Sequence, residues 1–142
     1  MADTSKGFRY RGRKNGGTPT IQKIVAKDTE TLTRGDMANL ESGQIDLGAT
    51  GDTGLLGMIG DTGARTTAVS LVEVYVDVDA IYGVYDAVAR VKGDTLDLSG
   101  ATGAQTVATS SNKEFVVYAT KTAAQETLVC INVGKGLDNK AQ

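Results

Sequence analysis

The sequence predicts an all-β fold, a small β-barrel or β-sandwich with an extended N-terminal arm. Short apolar segments alternate with polar residues at a period of two, which is typical of strands. Turn-forming residues separate these segments every eight to twelve residues or so, as in sandwiches and barrels. No window of about eleven residues carries the apolar period of a helix. With no Trp and only two Phe and five Tyr, the core is expected to consist mostly of aliphatic side chains.

The distribution of charge divides the chain into three predicted parts. Residues 1–18 are expected to form a basic arm with five cations against the single anion Asp3, residues 19–134 a β-rich domain, and residues 135–142 a polar tail. Because the whole chain has 15 cations and 17 anions, the remainder holds ten cations and sixteen anions. A cationic segment loosened by glycines and joined to an acidic body suggests a segment that contacts another molecule.

The predicted strands follow one another along the body. The segment 37–47 is predicted to be a hairpin, because a Ser-Gly pair interrupts two apolar segments. The other predicted strands are 20–27, 55–59, 68–78, 82–85 continuing through 87–91, 96–98, 114–120 and 127–133.

The segment 68–78 has the clearest alternation. One predicted face is buried and consists of valines, and the other is solvated and mostly acidic. The valine face holds Val72, Val74, Val76 and Val78. The solvated face holds Glu73, Tyr75, Asp77 and Asp79.

The composition argues against familiar catalytic machinery. The chain has no His, so it cannot assemble a Ser-His-Asp or Cys-His mechanism. The single Cys130 excludes an internal disulfide and a multi-cysteine zinc site. We therefore expect no enzymatic activity, no cofactor, no metal and no small-molecule substrate.

The tripeptide Asp-Thr-Gly occurs at 52–54 and 61–63 and invites comparison with aspartic proteases. Those enzymes need two carboxylates that share a proton. Here a glycine, rather than an apolar strand residue, precedes each Asp, and the two copies are too close in sequence to serve two lobes. Paired glycine turns are the favoured interpretation.

Two further motifs have plain structural explanations. Arg34-Gly35-Asp36 matches the tripeptide exposed by integrin ligands, but a turn before a strand accounts for it. Glu73, Asp77, Asp79 and Asp86 offer oxygen ligands of the type that Ca²⁺ prefers, yet their spacing fits no known calcium loop.

The basic arm leaves three interpretations open. It is a solvated terminus, or it binds nucleic acid through phosphate contacts and stacking by Phe8 and Tyr10, or it clamps an acidic protein surface. The acidic body makes nucleic acid the less favoured partner. The first residues contain no apolar run, so we expect no signal peptide, synthesis in a cytoplasm and no membrane association.

Three stretches of the body resemble the head decoration, or cement, proteins of tailed bacteriophages. The glycine-aspartate turn and hairpin at 32–45 and the strand at 55–59 are similar to the opening of those proteins. The stretches 92–98, 103–108 and 111–117 are similar to their C-terminal half.

This resemblance implies a structural role on the outside of a virion. Such proteins bind the major capsid protein, usually as trimers at threefold positions, and hold neighbouring capsid subunits together. The arm would then supply the capsid-binding residues, which are Lys6, Phe8, Arg9, Tyr10, Arg11, Arg13 and Lys14. A tail-associated β protein and a nucleic-acid-binding β-barrel are the alternatives.

Overall fold

The computed structural model describes residues 7–27, 31–60, 71–109 and 111–132, and within these ranges it contains eleven strands and no helix. The predicted all-β class is confirmed. The strands are β1 (Arg9–Arg13), β2 (Ile21–Val25), β3 (Met37–Glu41), β4 (Gln44–Leu47), β5 (Leu55–Met58), β6 (Leu71–Tyr75), β7 (Ala80–Val84), β8 (Thr95–Ser99), β9 (Thr106–Thr109), β10 (Phe115–Val117) and β11 (Thr127–Ile131).

The strands form three antiparallel sheets. The six-stranded main sheet has the order β1-β7-β11-β10-β8-β9, a three-stranded sheet has the order β4-β3-β5, and β2 pairs with β6. These ladders do not close into a barrel, and the arrangement is sandwich-like. Single bridges connect the two smaller sheets, from Ile59 to Val74 and from Ala26 to Ile45.

The three-stranded sheet lies between two hydrophobic cores. Met37 on β3 and Met58 on β5 point into the core beneath the main sheet. Their chain neighbours Ala38 and Ile59 belong to the second core, which also holds Val72 on β6. Because successive side chains of a strand point to opposite faces, β3 and β5 contribute to both cores at once.

The predicted hairpin is confirmed. β3 and β4 pair from Ala38–Leu47 to Glu41–Gln44. The two connecting residues, Ser42 and Gly43, both have positive φ values, 52° and 79°. Such two-residue turns match the right-handed twist of the strands they join.

The alternation predicted over 68–78 ends earlier than expected. Val72 and Val74 are buried as predicted, and β6 stops at Tyr75. The chain then turns, so Asp77 is only 7% exposed and Val78 is 75% exposed, the reverse of the predicted faces. Residues 68–70 lie outside the described part of the chain.

Other strand predictions need smaller corrections. Residues 87–91 contain an isolated bridge at Arg90 rather than a strand, and Val88 and Val91 are exposed. β10 covers only the first part of the predicted strand 114–120. β9 was not predicted, and residues 133–142, including the polar tail, lie outside the described part.

The largest correction concerns the arm. β1 is an edge strand of the main sheet and pairs with β7 in a register that runs from Arg9–Gly83 to Arg13–Ala80. The backbone of Gly7 donates to Gln105 O at 2.8 Å, and Phe8 donates to Gly35 O at the same distance. Residues 7–13 are therefore joined to the body by strand pairing and backbone hydrogen bonds, and they do not form a free extended arm.

Candidate docking site on the main sheet

The two aromatic residues predicted to bind the capsid pack against the core, where Phe8 is buried and Tyr10 is half-buried. Phe8 is 3% exposed, and its ring centroid lies 5.3 Å from that of Phe115. Tyr10 stacks on Tyr75 at 4.4 Å and donates to Asp77 Oδ2 at 3.1 Å. Burial and the Asp77 carboxylate together raise the pKa of Tyr10 to about 12. These contacts hold β1 in place, and the Phe8 ring is buried too deeply to reach a second molecule in this arrangement.

Two arginines of β1 share one carboxylate on the outer face of the main sheet. Arg11 makes two hydrogen bonds to Glu126, with Nε–Oε1 and Nη2–Oε2 distances of 2.9 and 3.0 Å. Arg9 Nη1 lies 3.4 Å from Glu126 Oε2. The carboxylate rests against Gly83, where an added Cβ would collide with it. Glu126 thus anchors the edge strand from outside while Phe8 and Tyr10 anchor it from inside.

The third arginine ties the end of β1 to the turn that follows β6. Arg13 Nε donates to Asp79 Oδ1 at 2.8 Å, and Arg13 Nη1 lies 3.6 Å from Asp77 Oδ1. Burial acts to raise the pKa of Asp79, but the Arg13 guanidinium outweighs it and the pKa is lowered. Of the predicted capsid-binding residues, Lys6 lies outside the described part of the chain, and Lys14 is exposed.

Lys14 lies at a hollow of about 160 Å³ on the outer face of the main sheet. Val116 and Cys130, a directly opposed pair on β10 and β11, line it and are 6% and 4% exposed. Lys92, also exposed, lines it as well, with Nζ 5.9 Å from the centroid of the Tyr118 ring. We call this feature, formed by Lys14, Lys92, Gly93, Val116, Val117, Tyr118, Cys130 and Ile131, the lysine hollow.

The lysine hollow combines an apolar floor with cations. Neither Lys14 nor Lys92 forms an ion pair with another residue in the described ranges. Burial raises the pKa of the Cys130 thiol, and the nearby Lys14 opposes that shift. Such a surface suits a ligand or protein segment that carries a carboxylate beside an apolar group.

Sequence reasoning found Lys14 but missed Lys92 and the apolar floor. From the sequence, Lys92 belongs only to the stretch 92–98 and Val116 only to the predicted strand 114–120 and the stretch 111–117, and neither has a predicted binding role. The hollow forms where Lys14, just after β1, and the loop before β8 meet residues of β10 and β11. These contacts join distant parts of the chain, so no local pattern could indicate them.

The aspartates of the Arg-Gly-Asp and first Asp-Thr-Gly motifs accept hydrogen bonds that stabilise local turns. Asp36, fully buried, accepts hydrogen bonds from Thr33 N at 2.8 Å, Gly103 N at 2.8 Å and Thr102 Oγ1 at 2.6 Å. The Arg-Gly-Asp tripeptide is therefore a turn whose carboxylate faces inward. Asp52 likewise accepts from Ala49 N within its own turn, while Asp61 lies outside the described part.

The four acidic residues considered for calcium do not converge. Asp77 accepts hydrogen bonds from the Tyr10 hydroxyl and the Thr20 backbone amide. Asp79 accepts one from Arg13, and Asp86 forms an ion pair with Arg90 at 2.7 Å. Across the described ranges, no three acidic, His or Cys side chains are arranged to hold a metal ion.

Among the described residues, Lys121 is the buried lysine, with 6% of its surface exposed. Burial lowers its pKa, although the charge of Asp86 acts in the opposite direction. Its ammonium donates to the backbone oxygens of Asp86 and Gln125, the latter at 3.0 Å. Lys121 therefore fixes the turn that leads to Glu126, and its donors are used within the fold.

No protein-family model matches the chain, and no curated protein matches it in sequence. In the described ranges, no helix has the length and apolar character needed to cross a membrane.

Proposed function

We propose that this protein is a structural component of a tailed-phage virion that binds the outer surface of the capsid and stabilises contacts between major capsid protein subunits. The observation that carries the proposal is the lysine hollow, with its nearly buried Val116 and Cys130 and its two exposed lysines. The resemblance of the three body stretches to decoration proteins is the reason for proposing the major capsid protein as the partner. The all-β fold is compatible with that class.

In the proposed contact, the lysine hollow binds a segment of the capsid surface that carries carboxylates next to an apolar side chain. Lys14 and Lys92 would meet the carboxylates, and the apolar floor would receive the adjacent side chain. Arg9, Arg11 and Arg13 contribute indirectly, because their ion pairs fix β1 and so position Lys14.

Oligomerisation would strengthen this contact. In a trimer, binding of one subunit raises the effective concentration of the other two hollows at neighbouring capsid sites. Three weak contacts would then hold adjacent capsid subunits together without any single contact being strong.

Two measurements test the proposal. Light scattering on the purified protein is expected to give three times the mass of the chain. Cryo-electron microscopy of phage heads incubated with the protein is expected to show three copies around each threefold position. The proposal would be overturned if the protein were a monomer and showed no density on the phage heads. Density found only on the tail would favour the tail-associated alternative.

A further inference from the structure

An exposed linker, residues 14–20, joins β1 to β2. It is closed by local contacts, in which Gly16 N donates to Arg13 O at 2.9 Å and Arg13 Nη1 donates to Thr18 O at 3.2 Å. Gly16 has a φ of 75°, a value that glycine adopts without strain, and this permits the tight turn. Because every residue of the linker is exposed, the packing of the two cores does not depend on the path that the linker takes.

The contacts that hold β1 in the main sheet are made with other parts of the chain. β1 pairs with β7, Phe8 packs on Phe115, and Arg11 donates two hydrogen bonds to Glu126. None of these contacts involves the linker, so the β1 of one copy can make all of them on a second copy. Exchange of an identical element between copies is a low-cost route to an oligomer for this reason. The sheet edge that receives β1 therefore fits the β1 of another copy as well as its own.

Both ends of the linker are attached to the turn that follows β6. Lys14 N donates to Asp79 O at 2.9 Å, and Thr20 N donates to Asp77 Oδ2 at 3.0 Å. Between the two aspartates lies Val78, which at 75% exposure is the most exposed large hydrophobic side chain of the described residues. A chain extended from residue 14 to residue 20 spans about 20 Å, so an exchange of β1 would bring the turns of two copies close together. Contact between the copies there would remove this valine from water.

We infer that copies of this protein exchange β1, so that the β1 of each copy completes the main sheet of its neighbour and Val78 is buried where the copies meet. The inference rests on the trimer of the proposed function, in which the exchange runs in one direction around the threefold axis and leaves no β1 unpaired. The exchange also makes the lysine hollow a shared site, because Lys14 of one copy then lies beside Lys92 and Cys130 of the next. The hollow is complete only in the assembled protein, and this couples capsid binding to assembly.

Thiol crosslinking distinguishes an exchanged β1 from a closed one. In a Cys130→Ala background, the cysteines of Arg11→Cys and Glu126→Cys are joined by a short bis-maleimide, whose spacer takes the place of the ion pair. Exchange predicts that most of the crosslinked protein migrates at two and three times the chain mass on a denaturing gel. The control variants Glu41→Cys and Gln44→Cys, opposed within one hairpin, should give a crosslinked single chain. Arg11→Cys without the second cysteine should give no larger species.

Val78→Ser tests the contact between copies in a variant that should fold normally, because the side chain is exposed in the single chain. Its trimer is expected to dissociate at a protein concentration at least about tenfold higher than that of the wild type, as the loss of a buried valine would cause. Val88→Ser, at a side chain that is 48% exposed on another loop, should leave that concentration unchanged. Dissociation of Val78→Ser at the wild-type concentration would overturn the inference.

The outcomes of crosslinking separate the exchange of β1 from the proposed function. A crosslinked single chain, from a protein that light scattering shows to be a trimer, overturns the exchange and leaves the proposed capsid binding untouched. A protein that light scattering shows to be a monomer also overturns the exchange, and density on phage heads then decides the proposed function by itself.

Discussion

Arg11 and Glu126 lie 115 residues apart in the chain and meet in a two-point ion pair on the outer face of the main sheet, at 2.9 and 3.0 Å. This contact joins the N-terminal strand to the residue just before the last described strand. It also places Lys14, three residues beyond Arg11, at the lysine hollow. A basic segment that would suit contact with another molecule is thus first used to complete the protein's own sheet.

Replacing Glu126 with Gln is expected to destabilise the protein by about 1 kcal/mol, because Arg9 and Arg11 both lose their anionic partner. Both ion pairs are partly exposed, so salt should screen them. Urea unfolding at low and high salt checks this, and the gap between wild type and variant should narrow as salt rises. Lys27→Gln removes the more exposed Lys27–Glu41 pair and serves as a control with little effect. A Glu126→Gln effect as small as the control's would contradict the anchoring role.

Gly83→Ala is expected to destabilise the protein by a similar amount, about 1 kcal/mol, because the new methyl group displaces the Glu126 carboxylate. A double-mutant cycle with Glu126→Ala measures the coupling. If the collision explains the effect, Gly83→Ala should have little further consequence once Glu126 is gone. Additive effects of the two changes would show that Gly83 matters for some other reason.

Phe8→Ala should destabilise the protein by about 3–5 kcal/mol, as expected for a truncated core aromatic. Phe8 is 3% exposed and packs on Phe115, so its loss leaves a cavity in the core beneath the main sheet. Ile21→Ala, at a side chain that is 46% exposed, is the comparison and should change stability far less. Equal effects in denaturant unfolding would mean that residues 7–13 are a free arm after all.

Asp97 should make stability depend on pH in acid. Burial tends to raise its pKa, but the backbone amides of Lys113, Asn112 and Ser111 donate to the carboxylate and lower the pKa below the ordinary value. A carboxylate whose pKa is depressed by folding stabilises the protein above its unfolded pKa, about 3.9, and loses that contribution as pH falls through the folded value.

We therefore expect Asp97→Asn to destabilise the protein by about 2 kcal/mol at pH 7 and by much less near pH 3. Denaturant unfolding across this range measures the difference. Glu41→Gln, at a carboxylate whose side chain is 59% exposed, provides the matched control. A constant penalty at Asp97 over the whole range would exclude the proposed role of its charge.

The sequence predicted most of the strands because their alternation is local. The hairpin β3–β4 and the buried pair Val72 and Val74 follow directly from the apolar pattern and the Ser42-Gly43 turn. Asp77 and Val78 were assigned to the wrong faces because the chain turns after Tyr75, and a turn resets the alternation.

β1 was missed although its alternation is visible in retrospect. Phe8 and Tyr10 point inward, while Arg9 and Arg11 point outward. Outward arginines resemble a solvated arm unless the partner carboxylate is known, and Glu126 is too distant in the chain to be paired with them by pattern alone. The same limit applies to the lysine hollow, whose parts come from four separate segments.

Cosedimentation of the double variant Lys14→Gln/Lys92→Gln with phage heads tests the central claim most directly. The account predicts that its binding falls at least about tenfold, because each subunit of a multivalent complex loses both cations of the lysine hollow. Lys23→Gln, an exposed lysine on β2 away from that hollow, should bind as the wild type does. Wild-type binding by the double variant would contradict the account.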